Sequence, residues 1–288
     1  MLNANHLWQI AKYKSTPLAI AHAHASQMLD VGLDMLARAG SMRGAARAPA
    51  RSSQNRSGRT TIKMHGVFEG GAPGIFTMLG LGFSTQAIER EIALAVMDDN
   101  CNEIVLEMNS PGGSIEGVPE LVAAVRAAAA RKIVTAMVAY RCCSAAYWVA
   151  SQADRVIASP SSEVGSIGVY VEHQDVSGAM AKAGVTNTYV SAGRYKVEGR
   201  SDAPLSTDAT AWMQQQVDAI YMQFTNAVAY GRNVSRAEVM KNYGQGRSMS
   251  AADAKKCGMV DHIAASVDAA PFSRALAEKQ IRTLSRRG

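Results

Sequence analysis

The chain has 288 residues, 48% of them apolar and 19% charged, enough to bury one large core or two small ones. Four Cys without a C-x-x-C pair or a Cys/His cluster exclude a disulfide-built scaffold and a structural zinc site, and the thiols read as reduced. The net charge of +6 is carried by two stretches: six Arg and no acid over 38–59, and five Lys or Arg against one acid over 269–288. The remainder is net acidic, so nucleic acid is not an expected partner except through those two basic stretches.

In chain order, residues 1–37 read as a helical extension, with Leu18, Ala21, Met28, Leu29 and Leu36 loosely on one face. The short apolar run from Pro17 to Ala25 is interrupted by His22 and His24, too short for a signal peptide, and no segment reaches the ~18 apolar residues of a membrane span. Residues 38–59 are Arg, Ala, Ser and Gly with little to bury, and read as a flexible linker. A folded domain is expected over 60–268, followed by a basic tail over 269–288.

Within that domain, Ile62–Phe68 alternates as a strand, and 69–83, with five Gly, reads as a loop. Ser84 caps a predicted helix with Ile88, Ile92 and Ala95 on one face. Ile104–Met108 is a predicted strand, then a Gly-rich turn and a helix from about Val118 to Ala130. Strands are predicted at Ile133–Val138, Val156–Ala158, Val169–Val171 and Thr188–Val190, with helices from 144 and over 175–183. Ser206 opens a long helix with Met213, Val217, Ile220, Phe224 and Val228 on one stripe. Ser235 with Glu238, and Ser250, open two shorter ones. Strands alternating with helices predict an α/β fold with a parallel sheet.

Three loops of small residues follow strands: 109–114 (Asn-Ser-Pro-Gly-Gly-Ser), 142–147 (Cys-Cys-Ser-Ala-Ala-Tyr) and 165–168 (Gly-Ser-Ile-Gly). A fourth, 191–196, ends in Lys196. Parallel sheets bind ligands at such strand ends. Ser144 is the candidate nucleophile, at a strand-to-helix junction where backbone N–H groups are unpaired. The Ala145 N–H suits an oxyanion, and a second donor can come from Gly112 or Gly113. The base is open on chemistry alone. Lys196 serves if burial lowers its pKa from ~10.4 by a few units, and His173 is the alternative for a triad. Cys142 and Cys143 read as small buried residues, and Asp98, Asp99, Glu89 and Glu91 as a solvated helix face.

The ordered set Asn-Ser-Pro-Gly-Gly (109–113), Ser-Ala-Ala-Tyr-Trp (144–148), Gly-Ser-Ile-Gly-Val (165–169), Gly-Arg-Tyr-Lys (193–196) and Gly-Met-Val-Asp (258–261) resembles the S49 serine peptidases, over residues 60–265. That family includes signal peptide peptidase A and phage capsid-assembly proteases. The resemblance implies a ClpP/crotonase-like core of repeated β-β-α units and a Ser-Lys dyad acting through an acyl-enzyme. Ser144 matches the nucleophile, Lys196 the base, Ser166 the serine that orients the lysine, and Gly113 and Ala145 the oxyanion-hole positions. It implies a polypeptide substrate, no cofactor and a homo-oligomer, in which serine and lysine can come from neighbouring protomers.

Signal-peptide peptidases usually carry Gly-Gly after the serine and a membrane anchor. Here Ala145-Ala146 and the absence of a span lean toward the phage-type branch, processing capsid or scaffold proteins in the host cytoplasm or the prohead. The rivals are a host-type membrane-protein quality-control peptidase, a crotonase-type acyl-CoA enzyme, and a non-catalytic scaffolding component of a phage particle.

Overall fold

The computed structural model describes residues 18–20, 53–54, 58–273, 276–279 and 281. The strands are β1 (Leu18–Ile20), β2 (Ser53–Gln54), β3 (Arg59–Glu69), β4 (Gly82–Ser84), β5 (Glu103–Ser114), β6 (Ile133–Cys143), β7 (Arg155–Ala158), β8 (Glu163–Gly165), β9 (Ser248–Ser250) and β10 (His262–Ile263). The helices are α1 (Ile75–Met78), α2 (Thr85–Met97), α3 (Val118–Ala129), α4 (Ala145–Ala150), α5 (Ser177–Lys182), α6 (Thr207–Arg232), α7 (Arg236–Asn242) and α8 (Ala251–Lys256).

The sheet runs β10-β7-β6-β5-β3-β2, parallel from β10 to β3. Each long strand changes partner along its length. β6 pairs with β7 through Thr135–Val138 and with β8 through Arg141–Cys143. β3 takes β4 beyond Val67. Register shifts between His65 and Val67 and between Met108 and Ser110 mark the bends, as bulges redirect strands. The result is an α/β architecture whose strand ends fan apart, opening a slot beyond Cys142.

One face packs Ile62, Ile104, Leu106, Val134 and Val138 against α2 and α3. α4 is wholly buried, and its Trp148 stacks on Phe224 of α6 with ring centres 4.6 Å apart. Val105, Met137 and Ile157 on the other face are covered by Ala264, Val267 and Ala270. The packed region therefore continues past 268, where the sequence placed the start of a tail: the Arg155 guanidinium lies over the Phe272 ring at 5.0 Å.

The predicted helix starts hold. Ser84, Ser206, Ser235 and Ser250 each accept from the amide three residues on. Other expectations are corrected. Residues 18–20, expected in a helical extension, form a strand, and the rest of 1–37 lies outside the described residues. Ser53–Gln54 and Arg59, inside the expected linker, are strand. The expected 69–83 loop contains α1 and β4, because Glu69 turns inward and accepts from the Phe76 and Thr77 amides at 3.0 and 2.7 Å. Residues 169–171 and 188–190 do not form the expected strands. Residues 169–171 are half-buried, with Val169 against the core and only a single-residue bridge at Tyr170. Residues 188–190 lie on an exposed arm, Val190 at 98%, with no strand paired to them among the described residues.

Candidate active site

Ser144 sits where β6 ends and α4 begins. Its φ of 57° and ψ of −122° are costly for a residue with a side chain, on the order of 1–3 kcal/mol. Two hydrogen bonds hold it there. Its N–H donates to the Gly165 carbonyl at 2.7 Å, and its carbonyl accepts from the Trp148 N–H at 3.0 Å. A sharp strand-to-helix turn of this kind is a geometry suited to carrying a nucleophile. The Ser144 Oγ faces the Gly168 carbonyl at 3.4 Å. Ala145 follows, in the first turn of α4, whose amides have no intrahelical acceptor.

The stretch read from sequence as a Gly-rich turn, 109–114, is the far end of β5. Gly112 has φ 102° and donates its N–H to the Ser110 Oγ at 3.1 Å. Gly113 lies so close to β3 that a Cβ on it would stand 2.4 Å from the Phe68 carbonyl oxygen. Only glycine lets the two backbones meet there.

Ser166 follows β8 and is 7% exposed, with φ 54°, its N–H donating to the Arg247 carbonyl at 2.9 Å. β8, which the sequence reading missed, is laid against Cys143 on one side and Ser248 on the other. Three residues, Glu-Val-Gly, are too few to give a periodic signal.

The structure brings Ser144, Ala145, Gly113 and Ser166 to one end of the sheet. Lys196 is not joined to them by any hydrogen bond among the described residues, and lies in the exposed 191–200 turn. His173 is also on the arm, half-buried, its Nε2 2.9 Å from the Arg200 carbonyl. The arm is tied to itself: Asp202 accepts from the Asn187 amide at 2.8 Å and the Tyr189 hydroxyl at 2.9 Å, and those bonds hold its carboxyl below the usual range. Beside Lys196, Tyr195, Glu198, Trp212 and Met213 line an open cavity of about 640 Å³ between the arm and the first turns of α6.

The thiols beside the serine are shut down by burial. Cys142 is pushed well above its ordinary value, and Cys143 up to about 12. Tyr147 donates to the Met259 carbonyl at 2.9 Å, and Asp261 accepts from the Val156 amide at 2.7 Å and from Arg232 at 2.6 Å. The Gly-Met-Val-Asp segment therefore braces α4 from behind.

The sequence profile described as peptidase family S49 matches residues 126–280. A putative protease of Methanocaldococcus jannaschii is 34% identical over 172 residues, covering 60% of this chain and 55% of that one. Capsid assembly protease C of Escherichia phage lambda is 30% identical over 183 residues, covering 62% and 40%. This chain thus spans about half the length, or less, of these relatives. Among solved structures, a ClpP1 mutant from Listeria monocytogenes aligns with a TM-score of 0.46 at 13% identity, over 73% of this chain and 93% of that one. The profile match covers more than half of the sequence, and the chain belongs to peptidase family S49.

Proposed function

We propose that this protein is a serine endopeptidase working through a Ser-Lys dyad, and that it processes structural proteins of a phage particle. The observation that carries the reading is the strained Ser144 turn, clamped to Gly165 at the same end of the sheet as Gly113. The phage assignment is supported by the likeness to the lambda capsid assembly protease.

In this mechanism neutral Lys196 takes the Ser144 proton as Oγ attacks the substrate carbonyl carbon, and Ser166 orients the amine. The oxyanion is held by the Gly113 and Ala145 amides. The C–N bond breaks, the leaving amine takes the proton from Lys196, and the C-terminal fragment departs. Lys196 then deprotonates a water, which attacks the acyl-enzyme and frees the acid and Ser144.

A lysine in solvent is charged at neutral pH. Lys196 is exposed in a single chain, so the reading requires a second copy to bury it against Ser144. The arm and the start of α6 expose Tyr189, Val190, Tyr195 and Trp212, an apolar surface suited to such a contact. The protein is then a homo-oligomer with composite sites.

The test is cleavage of an unfolded protein from pH 6 to 10 by the wild type, Ser144→Ala, Lys196→Ala and His173→Ala, with the assembly state measured in parallel. The first two substitutions should each cost ~10³-fold or more, and the third little. Mixing Ser144→Ala with Lys196→Ala should restore part of the activity, because mixed assemblies contain intact pairs. Loss on His173→Ala with Lys196→Ala still active replaces the dyad by a triad. An assembled wild type that cuts nothing overturns the peptidase reading in favour of a scaffolding role.

A further inference from the structure

The far end of β5 has two edges. One carries β3, with Val67 opposite Gly112 and Phe68 opposite Gly113. The other is vacated where β6 turns away into Ser144 and α4: the last β5–β6 pair is Ser110 with Cys142. An edge left by a departing neighbour offers its N–H and C=O groups to any extended chain, the usual way a peptide adds to a sheet.

That place is taken by the protein itself. Leu18, Ala19 and Ile20 run antiparallel to β5, opposite Ser114, Gly113 and Gly112. Ala19 is therefore set against the glycine assigned above to the oxyanion hole, where the residue carrying the attacked carbonyl would lie. Leu18 runs back along Ser114. The slot is also closed to solvent: Ser110 and Ser144 are 0% exposed and Ser114 is 3% exposed.

We propose that residues 18–20 are a built-in pseudosubstrate, lying along the peptide-binding edge of β5, and that cleavage requires their displacement. This rests on the peptidase reading for its functional meaning, though the occupancy itself does not. Three residues form few ladder bonds, so the strand is exchangeable, and its tether keeps it at high effective concentration. A substrate then binds with its affinity reduced by the fraction of molecules in which the edge is free.

The test uses the full chain carrying Ala19→Pro, with Leu18→Pro as a second variant, since proline has no N–H and does not fit an interior ladder position. Amide hydrogen exchange at Gly113 and Ser114 is read in a Ser144→Ala background, where no cleavage intervenes. Exchange there should speed by about tenfold or more. With Ser144 intact, KM for a peptide should fall about fivefold or more while kcat is held. A synthetic peptide of residues 15–24 should protect the same two amides in the proline variants and compete with substrate. Unchanged exchange and unchanged KM in both folded proline variants overturn the proposal. Opened amides that the peptide protects again, in a protein that cuts nothing, uphold the occupancy and leave the peptidase reading as the part that failed.

Discussion

The Ser144 amide donates to the Gly165 carbonyl at 2.7 Å, and that bond ties the strained turn at the end of β6 to the end of β8. Gly165 can serve because it has φ 127° and no side chain: a Cβ there would stand 2.9 Å from the Arg247 carbonyl oxygen. We expect Gly165→Ala to cost about 1–3 kcal/mol of stability. Because the shifted carbonyl belongs to the clamp, cleavage of a peptide should fall by more than the unfolded fraction explains. Thermal unfolding and the rate of Ser144 labelling by a fluorophosphonate check both halves.

The two cysteines preceding Ser144 should be inert. Burial holds both as thiols, Cys143 with a pKa of about 12, and the thiolate is the reactive form. At pH 8 the native protein should therefore give no thiol signal from Cys142 or Cys143 with an aromatic disulfide reagent, and should release both on unfolding. Iodoacetamide should leave peptide cleavage within about twofold of the untreated rate. Inactivation that tracks modification of Cys143 would contradict the serine assignment.

At the other end of the sheet, Glu103 accepts from Arg155 at 3.1 Å, from Arg59 at 3.0 Å and from Thr135 at 2.6 Å, and Arg155 is 3% exposed. Removing only the carboxylate strands a buried guanidinium. Glu103→Ala should destabilise by about 3–5 kcal/mol, read from urea unfolding. Activity per folded molecule should be unchanged, because this cluster sits at the opposite end of β5 from Gly113.

The arm should loosen in acid. The Asn187 amide and the Tyr189 hydroxyl lower the Asp202 carboxyl pKa in the folded arm. A depressed carboxyl contributes its stability at neutral pH and loses it as pH falls below ~4 and through the folded value. Amide exchange over 176–202 should rise between pH 5 and 3 more than intrinsic rates predict, and Asp202→Asn should flatten that dependence.

How legible these features were depended on distance along the chain. Helix starts at Ser84, Ser206, Ser235 and Ser250 were readable because a cap is a contact between residues three apart. The Pro-Gly-Gly of 111–113 signalled a turn, yet it is strand, because pairing with Val67 and Phe68 of β3 outweighs the local preference. Residues 188–190 have strand composition but lie exposed outside any ladder among the described residues, and 169–171 reach only a single-residue bridge at Tyr170, too little to extend into a strand.

What the sequence determined by itself is the α/β alternation, the family, and the small-residue segments from which Ser144, Gly113, Ala145 and Ser166 were chosen. All are local patterns or ordered motifs. Only the tertiary structure decided that 18–20 lies against Gly113 and that Lys196 is exposed while Ser144 is buried. Both depend on residues far apart in sequence, where backbone pairing and burial, not local preference, decide the outcome.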